Sequence, residues 1–175
     1  MDYLTFILSR SLWESWAVFL LALSRIVTAI AMAPFFGARL LPASIKIGFG
    51  IAVSFLFFPF LIMQSHATYA FDAFFAFLML KEVWVGFLLG FVISIPFNAV
   101  QSAGDLIDHQ RGASSLQVMN PEMGAQTSPL GKLHHDMLII IFFSLGGPLL
   151  FFHGLLASYE LLPIDHFLPS LFFFT

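Results

Sequence analysis

The sequence predicts an all-α membrane protein with about four long hydrophobic helices plus short flanking helices, and three observations lead there. First, 59% of the 175 residues are hydrophobic and only 10% are charged, with a mean hydropathy of +0.94. A soluble domain carries about 25% charged residues to meet water, so most of this exterior must face lipid or other protein. Second, four apolar runs reach the roughly 20 residues a helix needs to cross about 30 Å of hydrocarbon. Third, those runs are apolar all round. Lipid admits only helices and closed barrels, which pair every backbone group internally. Barrel strands would instead alternate in polarity over blocks of about 10 residues.

The elements follow in order. Met1 to Trp16 sets Asp2 and Glu14 around a single Arg10. It has neither the basic start nor the small-residue cleavage site of a secretory signal, so no cleaved leader is expected. The first span runs from about Ser15 to Ala33 and stops at Pro34, and the second covers Ile45 to Met63 with Pro59 near its end. The third, Val83 to Ala103, is preceded by a shorter apolar stretch, Phe71 to Leu80. Residues 112–131 then turn polar and irregular, with Asn120-Pro121, Gly124 and Ser128-Pro129 as breakers. The fourth span, Met137 to Tyr159, is interrupted by Gly146-Gly147-Pro148, and the closing run Phe167 to Phe174 is too short to cross. With no internal repeat and no second domain, residues 1–175 read as one membrane domain.

Cationic residues set orientation. Arg39 and Lys46 flank the first connection and Arg111 and Lys132 bracket the third, while the second has only Lys81. This bias puts the first and third connections in the cytoplasm and both termini outside.

The polar residues inside the apolar runs are the informative ones. Arg25 lies near the middle of the first span, where a charge costs about 2.5 kcal/mol or more unless paired or hydrated. It is expected to face protein with a carboxylate partner, as a packing salt bridge or in contact with a transported species. On the third helix Ser94, Asn98, Gln101, Asp105, Asp108 and His109 share a sector about 100° wide, which must face an aqueous path or a polar subunit interface. Gly86 and Gly90 form a GxxxG pair that lets a neighbouring helix approach, and Pro96 is expected to bend the helix between its apolar and polar halves. Arg25, Glu82, Asp105, Asp108 and Arg111 are the candidates for ion pairs between helices or subunits. In the 112–131 segment, unusually long for a plain connection, Met119 and Met123 offer adaptable thioethers.

Catalytic and cofactor chemistry is not evident. The chain has no cysteine, which excludes thiol chemistry and Cys-based metal sites. The net charge of -3 is spread along the chain and leaves no nucleic-acid footprint. His134-His135-Asp136 does not suit a metal, because adjacent helical residues point about 100° apart and the HExxH spacing of zinc proteases is absent, and it is expected to be a solvated helix start. Gly112-Ala113-Ser114 is not a nucleophile elbow. Asp105 and Asp108 have the spacing for a proton relay or for a structural carboxylate pair. No catalytic residue, metal or cofactor is expected.

The stretch from Gln101 to Gly112, with Leu106-Ile107-Asp108-His109-Gln110-Arg111-Gly112 at its end, resembles the T-subunit family of type III secretion export gates (SctT), whose flagellar relative is FliR. Asn120-Pro121 with Gly124 to Gly131 is similar to the following loop of that family. Ala33 to Arg39, Leu41-Pro42 and Lys46-Ile47-Gly48 resemble its first cytoplasmic connection. The form of the first block favours the injectisome branch, associated with virulence. The resemblance implies export-gate subunit architecture: a non-enzymatic inner-membrane subunit assembled with R- and S-type subunits and the U-type switch subunit, passing unfolded proteins. It implies helices packed into a cone lifted partly above the bilayer, and a closed constriction near Met119, Asn120, Pro121 and Met123. Gln110 and Arg111 are counted with Asn98, Gln101, Asp105 and Asp108 among the polar-stripe and ion-pair candidates. It maps the chain to the N-terminal part of a T-subunit, without the family's further C-terminal helices. The alternatives are a small-solute or ion transporter, which would use the same stripe as its path but usually shows repeats, and an intramembrane enzyme.

Overall fold

The computed structural model describes residues 12–36, 42–64, 72–111, 119–120, 125–126 and 128–164. Five α-helices account for nearly all of them: α1 Leu12–Met32, α2 Ala43–Gln64, α3 Ala73–Gln110, α4 Pro129–Ser144 and α5 Gly147–Leu161. A 3-10 turn, Pro34–Phe36, follows α1, and a two-residue antiparallel ladder pairs β1 (Met119–Asn120) with β2 (Ala125–Gln126). The first three helices are each long and apolar enough to cross a membrane, and α4 with α5 passes the same test only as a pair bent by 72°. The protein is an all-α, multi-pass membrane protein.

Helix α1 is the hub because its buried positions recur every three to four residues: Ala17, Val18, Leu21, Ala22, Arg25, Ile26, Ala29 and Ile30. It ends where Pro34 disfavours helical geometry at the preceding residue. Two apolar clusters flank Arg25 along this helix. One joins Val18 and Leu21 to Leu61, Leu78 and Tyr159; the other joins Ile26 and Ile30 to Phe35, Phe97, Phe151 and Leu155. The abundant phenylalanines act as joints. Phe35 lies 4.7 Å from Phe142 of α4 and 5.3 Å from Phe151 of α5, ring centre to ring centre.

Two features differ from the sequence expectation. The apolar stretch that ends at Leu80 and the span from Val83 are joined in one helix of 38 residues that starts at Ala73, about 57 Å long at 1.5 Å per residue; Phe71 lies outside the described residues. Lys81 and Glu82 do not interrupt it, because both are good helix formers and both find buried partners. Pro96 lies inside α3, as Pro59 lies inside α2, with no break in either helix. The fourth span is two short helices, and it starts eight residues earlier than expected. Ser128 caps α4 by accepting from Gly131 N–H, and Pro129 occupies the first turn, where its missing N–H costs nothing. Residues 129–131 of the polar segment are therefore helical. The bend to α5 falls at Gly146, whose φ of +74° favours glycine.

Close approach of α1 and α3 depends on Gly86 and Gly90. A methyl on Gly86 would strike Thr28 Oγ1 and the Arg25 carbonyl, and one on Gly90 would strike Met32 and the Ala29 carbonyl. The two helices run parallel along this seam, whereas α2 meets α1 antiparallel, through Gly50 beside Val27 and Phe55 beside Phe19. Gly48 of α2 has open space around it. Gly86→Ala is expected to lower stability by about 1–3 kcal/mol through overpacking, while Gly48→Ala is neutral or stabilising by up to about 1 kcal/mol. Thermal unfolding of the two variants in detergent checks the contrast.

Candidate functional site

Two polar constellations interrupt the apolar structure. The first is buried. Arg25 (α1) and Glu82 (α3) are both 0% exposed and form a two-point pair, Nε to Oε2 at 2.5 Å and Nη2 to Oε1 at 2.8 Å. Lys81 Nζ reaches the same Oε1 at 2.9 Å. One carboxylate thus serves two cations, and the surplus positive charge is directed at the end of α5. Arg25 Nη1 donates to Ser158 O at 3.0 Å and Ser158 Oγ at 3.1 Å, and Nη2 donates to Leu162 O at 2.9 Å. Lys81 Nζ donates to Pro163 O at 2.8 Å and Ile164 O at 3.2 Å.

The last carbonyls of a helix lack intrahelical donors and carry the negative end of its dipole. Here Arg25 shares the Ser158 carbonyl with Leu162 N–H, and Arg25 and Lys81 together satisfy the carbonyls of residues 162–164 just past the helix end. The Tyr159 ring lies 4.0 Å below the guanidinium carbon and its hydroxyl donates to Ala22 O, closing the cluster. This arrangement binds α1, α3 and α5 into one unit.

The second constellation is the polar end of α3. Of the stripe, Ser94 is buried and donates to Phe91 O at 2.7 Å within its own helix, and Asn98 Nδ2 touches Ser94 Oγ at 3.5 Å. Gln101 is half-buried, whereas Asn98, His109, Gln110 and Arg111 are exposed. Asp105 and Asp108, one turn apart, meet the start of α4. Ser128 Oγ donates to Asp105 Oδ1 at 2.5 Å, and Leu130 N–H donates to Asp108 Oδ2 at 2.9 Å. Gly104 and Gly131 face one another closely enough that a methyl on Gly104 would lie 2.6 Å from the Gly131 Cα. The carboxylates thus sit at the positive end of the α4 dipole.

The structure brings Arg25 to Glu82, Gly86 and Gly90 to α1, and Asp105 and Asp108 to α4; it does not gather the stripe into one site. In the connection, the backbones of Met119 and Asn120 pair with Gln126 and Ala125, and Pro121 and Met123 lie outside the described residues. His134 and His135 are half-buried rather than solvated. Their Nδ1 atoms are enclosed without a hydrogen-bond partner, and His135 meets the Phe97 ring edge-on. Among the described residues no group of three potential metal ligands occurs.

Sequence reasoning missed Lys81, Ser128, Ser158 and Tyr159 as partners. Ser128-Pro129 carried a signal, since serine before proline is a helix start as well as a breaker. Tyr159 carried none, because its role depends on where α5 folds back.

The shared carboxylate predicts an order of damage. Glu82→Ala leaves two buried cations facing each other and should cost the most, in the range of about 3–5 kcal/mol for a broken buried pair. Arg25→Ala should cost less because Lys81 still serves Glu82, and Lys81→Ala least. Unfolding midpoints of the three variants in detergent read this order.

The family model for bacterial export proteins, family 1, matches residues 16–175. Yop proteins translocation protein T of Yersinia pestis is 36% identical over 151 residues, 86% of this chain and 58% of that protein. Surface presentation of antigens protein SpaR of Shigella flexneri is 33% identical over 156 residues, 88% of this chain and 61% of SpaR. Flagellar biosynthetic protein FliR of Bacillus subtilis is 29% identical over 161 residues, 92% of this chain and 61% of FliR. The chain spans 58–61% of the length of these relatives. It belongs to family 1 of the bacterial export proteins, among the relatives of type III secretion T-subunits and of FliR.

Proposed function

We propose that this chain is a non-enzymatic subunit of the type III secretion export gate in the bacterial inner membrane, and that it builds a channel for unfolded proteins with R- and S-type subunits, beside a U-type subunit. The observation that carries this reading is the length of α3. At about 57 Å it is nearly twice the roughly 30 Å of a hydrocarbon layer, beyond what ordinary tilt accommodates. Its exposed apolar side chains run from Phe74 to Ile95 and resume at Leu106 and Ile107, with Phe74 and Ile107 about 50 Å apart along the axis. Lipid can cover only part of that length, and the remainder needs apolar protein partners.

The relatives' names supply the cargo class: one is described as a translocation protein for Yop proteins and another as a flagellar biosynthetic protein. In this reading the exposed Asn98, Gln110 and Arg111, with half-buried Gln101, face partner subunits or the aqueous path. The segment around Met119, Asn120, Pro121 and Met123 lies at the constriction, and the bent α4–α5 pair packs within the assembly rather than crossing lipid alone. The mechanism is passive: the subunits line a path, and the connection after α3 yields when substrate and ion-motive force act.

Coexpression with R- and S-type subunits should give one detergent-stable complex that contains this chain. A photo-crosslinking residue at position 119 should capture a stalled export substrate, whereas the same residue at the outward-facing position 77 should capture none. A chain that purifies alone as a stable species, with no capture at position 119, would contradict the reading.

A further inference from the structure

We infer that Asp105 and Asp108 are positioning residues that close the two ends of the α3–α4 connection onto each other, so that the segment bearing the β1–β2 ladder is presented from a fixed base. Every backbone donor in the first turn of α4 is satisfied at this junction. Pro129 has no N–H, Leu130 N–H donates to Asp108, Gly131 N–H donates to Ser128 Oγ at 2.9 Å, and Lys132 N–H donates to Ser128 O at 3.1 Å. Ser128 is the relay: its hydroxyl accepts from Gly131 while donating its own proton to Asp105.

The two carboxylates one turn apart on α3 thus complete the Ser128 cap: Asp108 takes the one first-turn donor that Ser128 leaves free, and Asp105 anchors the Ser128 hydroxyl to α3. The facing glycines remove the bulk that would hold the helices apart, because a methyl on Gly131 would collide with the Asp105 carboxylate. The connection therefore leaves α3 and enters α4 side by side. Both bonds to carboxylate are charge-assisted, the stronger class. The Asp105 bond is made from the side chain of Ser128 and the Asp108 bond from the backbone of Leu130, so the two fix both rotation and register of α4 on α3.

The functional part of this inference rests on the export reading above; the structural part does not. The test uses the full chain coexpressed with R- and S-type subunits and compares Asp105→Leu/Asp108→Leu with Asp105→Asn/Asp108→Asn, since asparagine keeps an acceptor oxygen in the same place. In the leucine pair, amide hydrogen exchange at Leu130, Gly131 and the β1–β2 ladder should accelerate about ten-fold or more, the factor one such hydrogen bond carries. Export should fall by a similar factor, while co-purification and the protection of α1 stay unchanged. The asparagine pair should remain within about two-fold of the parent on both readouts, the neutral bonds being weaker but made.

Unchanged exchange at Leu130 and Gly131 in the leucine pair would overturn the inference, as would accelerated exchange with normal export. So would an asparagine pair as damaged as the leucine pair, or loss of co-purification together with export, which would make the carboxylates assembly contacts. Failure of the export reading shows separately: the unsubstituted chain would then neither join the complex nor support secretion, while the exchange comparison would still decide the positioning role.

Discussion

A charge placed in the middle of an apolar helix must be neutralised or the helix will not stay there, and Arg25 imposes that constraint on everything around it. Its guanidinium has three kinds of partner at once: the Glu82 carboxylate of α3, carbonyls at the end of α5, and the face of Tyr159. Each partner comes from a different part of the chain, so the cost of burying the charge is met only when α1, α3 and α5 are all in place. The apolar clusters on either side of Arg25 add contact area without direction. Direction comes from the ion cluster and from the glycine seam, which sets how closely α1 and α3 approach.

Much of this was legible in the sequence, and the limits have physical causes. The three long helices follow from apolar length, because lipid forces backbone groups to pair internally. That Arg25 needs a carboxylate follows from desolvation alone, but which helix would provide it depended on packing. The continuity of α3 was hidden because Lys81 and Glu82 resemble a polar connection in a hydropathy profile, whereas in the fold they are buried and paired. The break in the fourth span was legible in Gly146-Gly147-Pro148, but the 72° bend was not, since it depends on how α5 packs back on the other helices, with Phe142 close against Gly147. The polar stripe on α3 was geometrically sound as a helical face; its division into carboxylates that hold α4 and exposed residues that do not was settled by where α4 returns.

Helix α3 accordingly divides into two regions. Residues near Lys81 to Gly90 are fixed to α1 by ion pairing and glycine contacts, and residues near Gly104 to Asp108 are fixed to α4 by capping bonds and a second glycine contact. On the faces turned away from these contacts, and between the two anchors, the helix exposes large apolar side chains, among them Trp84, Phe91, Val92 and Leu106. A rigid element anchored at two points, with uncovered apolar surface longer than a bilayer is thick, suits a subunit whose remaining surface is completed by other subunits.

The central claim is that the Arg25–Glu82 pair acts as a unit that ties the helices together, and a double-mutant cycle measures this directly. With Arg25→Met, Glu82→Leu and the double variant unfolded in the same detergent, the account predicts a double variant less damaged than the sum of the singles by about 2 kcal/mol or more, because the second substitution removes the charge stranded by the first. Single-variant losses that simply add would contradict it.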